Sequence, residues 1–392
     1  MKKISFIFGT RPEAIKLAPV ILALKRMDSF TVEVCVTAQH RQMLDQVMEI
    51  FSIVPDVDLN LMKPNQTLAS LTANTVRSLD EYLQLSNPDM VIVQGDTTTV
   101  FAAALSAFYR KIPVGQVEAG LRTGNKYSPF PEEINRVITS RLTDIHFAPT
   151  DLSRQNLVAE GIDGNTVHIT GNTVIDSLLM VTKKINNNVI SIDGLPDHVM
   201  NGGKNPIVLI TGHRRENFGE GFLNICRSIC ILADRFKETH FIYPVHLNPN
   251  VQSPVYSILS GRKNIHLIKP LSYVPFVALM QHSTIILTDS GGVQEEARSL
   301  GKPVLVMREN TERPESVQAG TVKMVGTNED LIVGETSRLL EDPVEYQRMA
   351  KAVNPYGDGK ASERIVKALS HYFFNDVVPE TFVPITNAEI LN

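Results

Sequence analysis

Residues 283–296 read S-T-I-I-L-T-D-S-G-G-V-Q-E-E, and the order of residue types in that stretch sets the fold. An apolar β-branched run, Thr284 to Leu287, ends at Thr288-Asp289, turns through Ser290-Gly291-Gly292 and continues with helix formers. A strand, a glycine turn and a helix start leave unpaired backbone N–H groups at the positive end of the helix. Such an end is a seat for a phosphate or diphosphate. Gly291 and Gly292 let the backbone close on the anion, and Ser290 can add a hydroxyl. Glu296 falls about one turn beyond Gly292 on the same helix face. A carboxylate there can accept from both hydroxyls of a ribose, as the acidic residue of dinucleotide folds does. An ordinary βα turn whose acids favour the helix dipole fits the same letters, because short glycine motifs are weak evidence.

The surrounding chain repeats the pattern. Ile4–Phe8 leads to a helix around Glu13–Lys25, and Val32–Thr37 to Gln39–Ile50. After a helical segment Leu68–Leu83, the run Asp89–Gln94 leads to Thr97–Tyr109 and then Val114–Val117. Pro131–Arg141 reads as a helix, Ile145–Ala148 as a strand, Asp151–Glu160 as a helix and Val167–Thr170 as a strand. From about Asn172 to Pro206 the pattern weakens among asparagines, glycines and a proline, which predicts a linker. It restarts with strands at Ile207–Thr211, His240–Val245, Ile265–Ile268, Thr284–Thr288, Val304–Met307 and Thr321–Val325. This alternation predicts α/β architecture: two Rossmann-like, doubly wound parallel-sheet domains facing across a cleft. The expected boundaries are 1–172, a linker at 173–205, and 206–360, with a final helix at about 361–380 packing back on the first domain.

Composition narrows the function. The 392 residues are about two to three times the commonest domain size, and 43% are hydrophobic, enough for two cores. A net charge of −4 without a basic tail argues against nucleic acid. Cys35, Cys226 and Cys230 cannot form a disulfide framework and read as buried thiols. The short apolar run Ile4–Phe8 falls below a signal-peptide core, and no long apolar stretch suggests a membrane span. A cytoplasmic, soluble protein is expected.

Polar and glycine residues gather at the predicted strand ends, where open α/β sheets bind ligands. They are Gly9–Glu13, Gln94–Thr97, Glu118–Thr123, Thr211–Asn217 and Asp289–Glu296. Gly9-Thr10-Arg11-Pro12 is not a dinucleotide fingerprint, since Pro12 lacks a donor and Arg11 and Glu13 stand where glycines would be needed. No ATP-type phosphate loop and no metal-ligand spacing occurs, so no cofactor and no metal are expected. What remains are cations for a diphosphate, Arg11, Lys16, His213 and Arg313, and acids suited to proton transfer, Asp96, Glu118 and Glu132. Lys16 as a solvated helix residue, Arg313 as a structural ion pair and Glu132 as a helix-start carboxylate are the competing readings. Glu133 projects about 100° from Glu132 round a helix, so only one of the two can face a ligand.

Taken together, G-T-R-P-E-A-I-K (9–16), Q-G-D-T (94–97), E-A-G-L-R-T (118–123), P-E-E-x-N-R (131–136), G-H-R-R-E-N (212–217), D-S-G-G-x-Q-E-E (289–296) and T-E-R-P-E (311–315) resemble the non-hydrolysing UDP-N-acetylglucosamine 2-epimerases. The likeness runs in order over nearly the whole chain. It implies a GT-B-like fold and reversible interconversion of UDP-N-acetylglucosamine and UDP-N-acetylmannosamine through elimination of UDP to 2-acetamidoglucal. By position it implies acid/base and sugar-orienting roles for Asp96, Glu118 and Glu132, and a diphosphate contact for His213. Arg11 and Lys16 map to UDP contacts, Ser290, Gly291 and Gly292 to the diphosphate, Glu296 to the ribose and Arg313 to the phosphate end. Phe276 and the chain near Leu271 would line a uracil pocket, although Leu271 departs from the polar residue expected there.

Many bacterial members also bind a second UDP-N-acetylglucosamine as an activator, and Gln39, Gln42, Glu132, Arg214 and His246 match that region. Asn65 stands where some relatives carry arginine, and Gln94 and Gln116 replace histidines often found there. A homodimer is a further expectation of the resemblance. Competing functions are a 2-epimerase of a modified sugar, such as a diacetamido-uronate nucleotide, a GT-B glycosyltransferase, and a silent nucleotide-sugar sensor.

Overall fold

A computed structural model describes residues 1–37, 41–61, 66–185, 190–200, 203, 205–309, 315, 317, 319–320, 322–352 and 354–384, with side chains left out at 41–43. The chain divides into two compact units, Met1–Ser177 with Tyr356–Val383, and Leu178–Pro355.

The first unit holds seven parallel strands: β1 (Lys2–Phe8), β2 (Phe30–Val36), β3 (Val57–Asp58), β4 (Met90–Gln94), β5 (Val114–Val117), β6 (Ile145–Ala148) and β7 (Val167–Ile169). Its helices are α1 (Arg11–Leu24), α2 (Arg41–Ile50), α3 (Leu68–Ser86), α4 (Thr98–Tyr109), α5 (Glu132–Leu142), α6 (Asp151–Ala159) and the start of α7 (Thr173–Ile185). The second unit holds α8 (Asp197–Met200), β8 (Ile207–Thr211), α9 (Glu220–Arg235), β9 (His240–Pro244), α10 (Pro249–Leu259), β10 (Ile265–Ile268), α11 (Tyr273–His282), β11 (Ile285–Thr288), α12 (Gly291–Ser299), β12 (Val304–Val306), β13 (Val322–Met324), α13 (Glu329–Glu341) and α14 (Pro343–Ala350). The chain then re-enters the first unit as α15 (Ala361–Phe374).

Strand order is β3-β2-β1-β4-β5-β6-β7 in one sheet and β10-β9-β8-β11-β12-β13 in the other. The order reverses between β1 and β4, and again between β8 and β11, and those are the crevices where such sheets take ligands. The doubly wound α/β class read from the strand–helix alternation therefore stands, and each unit is Rossmann-like. Central strands are apolar on both faces because helices cover both: every residue of β4 and of β11 is buried. In α9 the apolar residues Phe222, Ile225, Cys226, Ile229, Leu232 and Ala233 recur at helical spacing and pack against Val208, Ile210, Ile285, Leu287 and Leu305. Cys35 and Cys226 are buried and Cys230 partly so. Among the described residues no helix is long and apolar enough to cross a membrane.

Several elements depart from the sequence expectation, the short α8 inside the expected linker among them. β3 is only two residues long, too short to leave an alternation. α7 occupies most of what reads as the start of a linker; Val174, Ile175, Leu178 and Val181 are buried on one face, a helical period hidden by the asparagines that follow. Asp176 on that helix accepts from Ala361 N (3.2 Å), Ser362 N (2.8 Å) and Ser362 Oγ (2.6 Å), capping α15. α15 lies against α1, and Phe30 meets Phe373 and Phe374 edge-on at 6.2 and 5.5 Å. Gly120, just after β5, has φ +90°, and a Cβ there would stand 2.1 Å from the Ser153 carbonyl oxygen.

A histidine pair in the second unit makes its stability depend on pH. His240 Nδ1 and His266 Nε2 are 3.1 Å apart, and the His198 ring lies edge-on to His240 at 6.1 Å. Burial, and then the neighbouring imidazoles, push His266 down to about 4. The same causes lower His240, with Glu238 opposing. A folded pKa below the unfolded value means that the unfolded chain binds more protons at acid pH, so stability falls as pH drops from about 7 towards 4. Thermal melts across that window are expected to show this loss, and His266→Asn to flatten it. Parallel pH profiles for the two proteins would refute the assignment.

Candidate active site

In the first unit the turn from β1 into α1 is held by Glu13, which is buried. Its Oε2 accepts from Gly9 N (3.1 Å) and Thr10 N (2.7 Å), and its Oε1 accepts from Thr97 Oγ1 (2.7 Å). Burial raises the Glu13 pKa, and these hydrogen bonds oppose the rise. One carboxylate thus ties the ends of β1 and β4 together at the point where strand order reverses. A Cβ on Gly9 would fall 2.2 Å from Thr37 Oγ1, so only glycine allows the close approach.

Asp96 follows at the end of β4. Arg136 Nη2 donates to its Oδ2 (2.6 Å), and Asn135 Nδ2 donates to its carbonyl (3.0 Å). The side chain keeps 29% exposure. Desolvation raises its pKa, Arg136 and Lys16 oppose, and the nearby charges of Glu118 and Glu132 push it further up. Arg136 is itself steered by Glu133, whose Oε2 lies 3.4 Å from Nη1. Glu133 Oε1 accepts from Thr123 N (3.0 Å) and Gly124 N (2.9 Å). Glu133 is therefore the buried acid of the pair and Glu132 the partly exposed one.

Glu118 follows β5 in the left-handed region, φ +62°, a conformation that costs a residue with a side chain about 1–3 kcal/mol and persists where its surroundings over-determine it. Its surroundings do. Lys16 Nζ donates to both carboxylate oxygens at 2.6 Å, Asn172 Nδ2 to Oε1 at 2.9 Å, and Gln94 Nε2 to Oε2. Lys16, expected among the phosphate contacts, is engaged by Glu118: its α1 position turns the side chain towards the end of β5, where a carboxylate meets it. Gln116 serves the same corner, donating to Gly95 O (3.0 Å) and accepting from Ser140 Oγ (3.1 Å). Arg11 is the first residue of α1 and is partly exposed.

In the second unit Asp289 does for β8 and β11 what Glu13 does for β1 and β4. It is fully buried, and its Oδ2 accepts from His213 N and Arg214 N, both 2.8 Å. Its Oδ1 lies 3.4 Å from His213 Nδ1. The His213 ring stacks on His246 (5.3 Å, 16°), whose Nδ1 accepts from Asn248 N at 3.1 Å. Burial lowers the His213 pKa, with Asp289 opposing and Arg214 and His246 adding to the fall. Burial thus works against a charged ring, and the Asp289 carboxylate works for one.

Ser290 stands at the N-cap position of α12 without a side-chain capping bond, Gly291 opens the helix, and a Cβ at Gly292 would meet nothing within 4 Å. The space beside Gly292 is open, as an anion seat there requires. Glu296 is buried and accepts from Tyr273 Oη (3.2 Å). Leu271 precedes α11, and Phe276 is partly buried in its first turn. Arg313, Gln39 and Asn65 lie outside the described residues, as does the side chain of Gln42.

Glu13, Arg136 and Asn172 organise the strand ends of the first unit and Asp289 those of the second, and the sequence reading assigns none of them a role. A signal exists for Asp289, an acid between an apolar run and a glycine turn.

The family model described as UDP-N-acetylglucosamine 2-epimerase matches residues 22–370. The chain belongs to the UDP-N-acetylglucosamine 2-epimerase family. It is 53% identical over 370 residues to the UDP-N-acetylglucosamine 2-epimerase of Escherichia coli (strain K12), covering 94% of this chain and 98% of that protein. The crystal structure of the Neisseria meningitidis UDP-GlcNAc 2-epimerase bound to UDP-GlcNAc is 53% identical with a TM-score of 0.87, covering 94% and 99%. The Methanocaldococcus jannaschii UDP-GlcNAc 2-epimerase, solved with UDP-GlcNAc and UDP, is 35% identical with a TM-score of 0.80, covering 94% and 99%. By reaction type this 2-epimerase family member is an isomerase, and its fold is of the GT-B-like kind.

Proposed function

We propose that the chain epimerises carbon 2 of UDP-N-acetylglucosamine to give UDP-N-acetylmannosamine, reversibly and without hydrolysis. The observation that carries this reading is a carboxylate trio, Asp96, Glu118 and Glu132, in which Asp96 has its proton affinity raised by burial and by the other two. The proton on carbon 2 has no adjacent carbonyl to acidify it, so simple removal would leave an unstabilised carbanion. Elimination avoids that. A base takes the proton from carbon 2 as the bond from carbon 1 to UDP breaks, and the electrons of the C–H bond form the carbon 1–carbon 2 double bond of 2-acetamidoglucal. UDP then re-adds to carbon 1 while a proton reaches carbon 2 from the opposite face, so nothing is consumed.

Asp96 suits the proton exchange, because a carboxyl pushed up from its usual range titrates nearer the working pH. Glu118, held by three donor side chains, and Glu132 orient the sugar. The second unit takes the leaving group: Ser290, Gly291 and Gly292 for the diphosphate with His213 contacting it, Glu296 for the ribose, and Leu271 with Phe276 for the uracil. Arg11 and Arg313 complete the anion contacts, and Lys16 acts through Glu118. Neither a metal nor a redox cofactor enters the proposal.

Incubating the protein with UDP-N-acetylglucosamine in D₂O and following it by proton NMR tests the reading. UDP-N-acetylmannosamine with deuterium at carbon 2 supports it. Free N-acetylmannosamine would point to hydrolysis, and turnover only with an added acceptor to a glycosyltransferase.

The reading extends to a homodimer in the cytoplasm and to a second UDP-N-acetylglucosamine acting as activator through Gln39, Gln42, Arg214 and His246. The rate with UDP-N-acetylmannosamine alone is then expected to be sigmoidal, and to rise on adding a trace of UDP-N-acetylglucosamine. A hyperbolic curve unmoved by that addition removes the activator.

A further inference from the structure

We infer that Asn172 is a positioning residue for Glu118, linking its carboxylate to the segment of chain that returns to the first unit after Pro355. The inference rests on the 2-epimerase reading. Asn172 is buried between β7 and α7. Its side-chain amide has only one possible orientation. The oxygen accepts from Val174 N at 3.1 Å, an interaction that the NH₂ group cannot make, so the NH₂ group must face Glu118 Oε1, 2.9 Å away. Its own backbone N–H donates to Tyr356 O at 2.6 Å, and Tyr356 is a fully buried residue at the start of the returning segment. Gly171 beside it, at φ +84°, leaves a Cβ position 3.4 Å from the same Tyr356 oxygen.

Of the donors on Glu118, Lys16 bonds both oxygens and so cannot tell one from the other. Asn172 and Gln94 each hold one, and together they fix the rotation of the carboxylate plane. Gln94 belongs to β4 within the same sheet, whereas Asn172 brings a reference from outside it, the chain after Pro355. A left-handed Glu118 then has its backbone and its carboxylate both pinned, which is what a group that must orient a sugar requires.

The substitution Asn172→Asp separates positioning from folding. An aspartate keeps the acceptor for Val174 N, so the start of α7 is preserved, but it turns a carboxylate oxygen towards Glu118 in place of the NH₂ group. Two carboxylates at that distance share a proton at low pH and repel when both ionise. When protonated, the introduced carboxyl can donate to Glu118 as the native amide does. The expected result is a kcat lowered about tenfold or more at pH 8 and recovering as pH falls, with KM for UDP-N-acetylglucosamine changed less than about twofold. The wild type measured alongside should show no such recovery. Asn172→Ser, which keeps a helix-capping oxygen but cannot reach Glu118, serves if the aspartate variant does not fold; its kcat should fall about tenfold with no acid recovery. Unchanged kcat and pH profile in a folded variant, or a rise in KM alone, would overturn the inference. A wild type inert towards UDP-N-acetylglucosamine would instead overturn the 2-epimerase reading, and this inference with it.

Discussion

Asp96→Asn is expected to lower kcat by about 10²–10⁴-fold, the usual contribution of a positioned acid or base. The replacement is nearly isosteric, and its oxygen can still accept from Arg136 Nη2, which lies 2.6 Å from Asp96 Oδ2. What it loses is the ability to take and return a proton. Deuterium entry at carbon 2 should fall in step with epimerisation, because both need the same transfer, while KM and the thermal midpoint should stay close to those of the wild type. That combination distinguishes proton transfer from binding. A variant that keeps its kcat within about threefold would remove Asp96 from the chemistry, leaving Glu118 or Glu132 as the proton carrier. A variant that exchanges deuterium at carbon 2 at the wild-type rate yet fails to epimerise would place Asp96 on the other face of the sugar, where it delivers the second proton.

The contrast between Asp96 and its neighbours also explains how much of the site is legible in the sequence. The acids stand at strand ends, and strand ends can be found from β-branched runs followed by glycine, so Asp96, Glu118 and the Asp289–Gly292 turn can be located from the letters alone. The fold class follows from the same runs. The use to which each side chain is put cannot be read this way. Lys16 reads from the letters as a candidate phosphate contact or a solvated helix residue. That it meets Glu118 depends on the order in which β1, β4 and β5 lie side by side, a long-range fact with no local signature. Arg136 and Glu133 show the same limit: their spacing says only that they share a helix face, and the pairing with Asp96 arises from packing between α5 and the β4 end. α7 is obscured for a different reason, since turn-forming asparagines after its last turn outweigh the apolar period within it.

Asp289→Ala is expected to destabilise the second unit by about 3–5 kcal/mol. Asp289 is fully buried, and its Oδ2 satisfies the backbone N–H groups of His213 and Arg214 at 2.8 Å each. Removing the carboxylate leaves both donors without that partner, at about 1–3 kcal/mol apiece, and opens a small cavity besides. The substitution should also weaken UDP binding, for this acid ties the backbone of the loop that carries His213 to the end of β11, and α12 begins two residues further on. Asp289→Asn provides the internal control. Its amide oxygen can still accept from one or both N–H groups, so it should recover much of the stability, while the His213 ring loses the negative charge that supports its protonated form. Urea midpoints for the two variants, read beside UDP affinity by calorimetry, decide between the alternatives. An alanine variant as stable as the wild type would show that the turn between β8 and α9 holds itself, and Asp289 would lose its organising role. A stable asparagine variant that binds UDP normally but turns over slowly would locate the contribution of Asp289 in the proton affinity of His213 rather than in the shape of the loop.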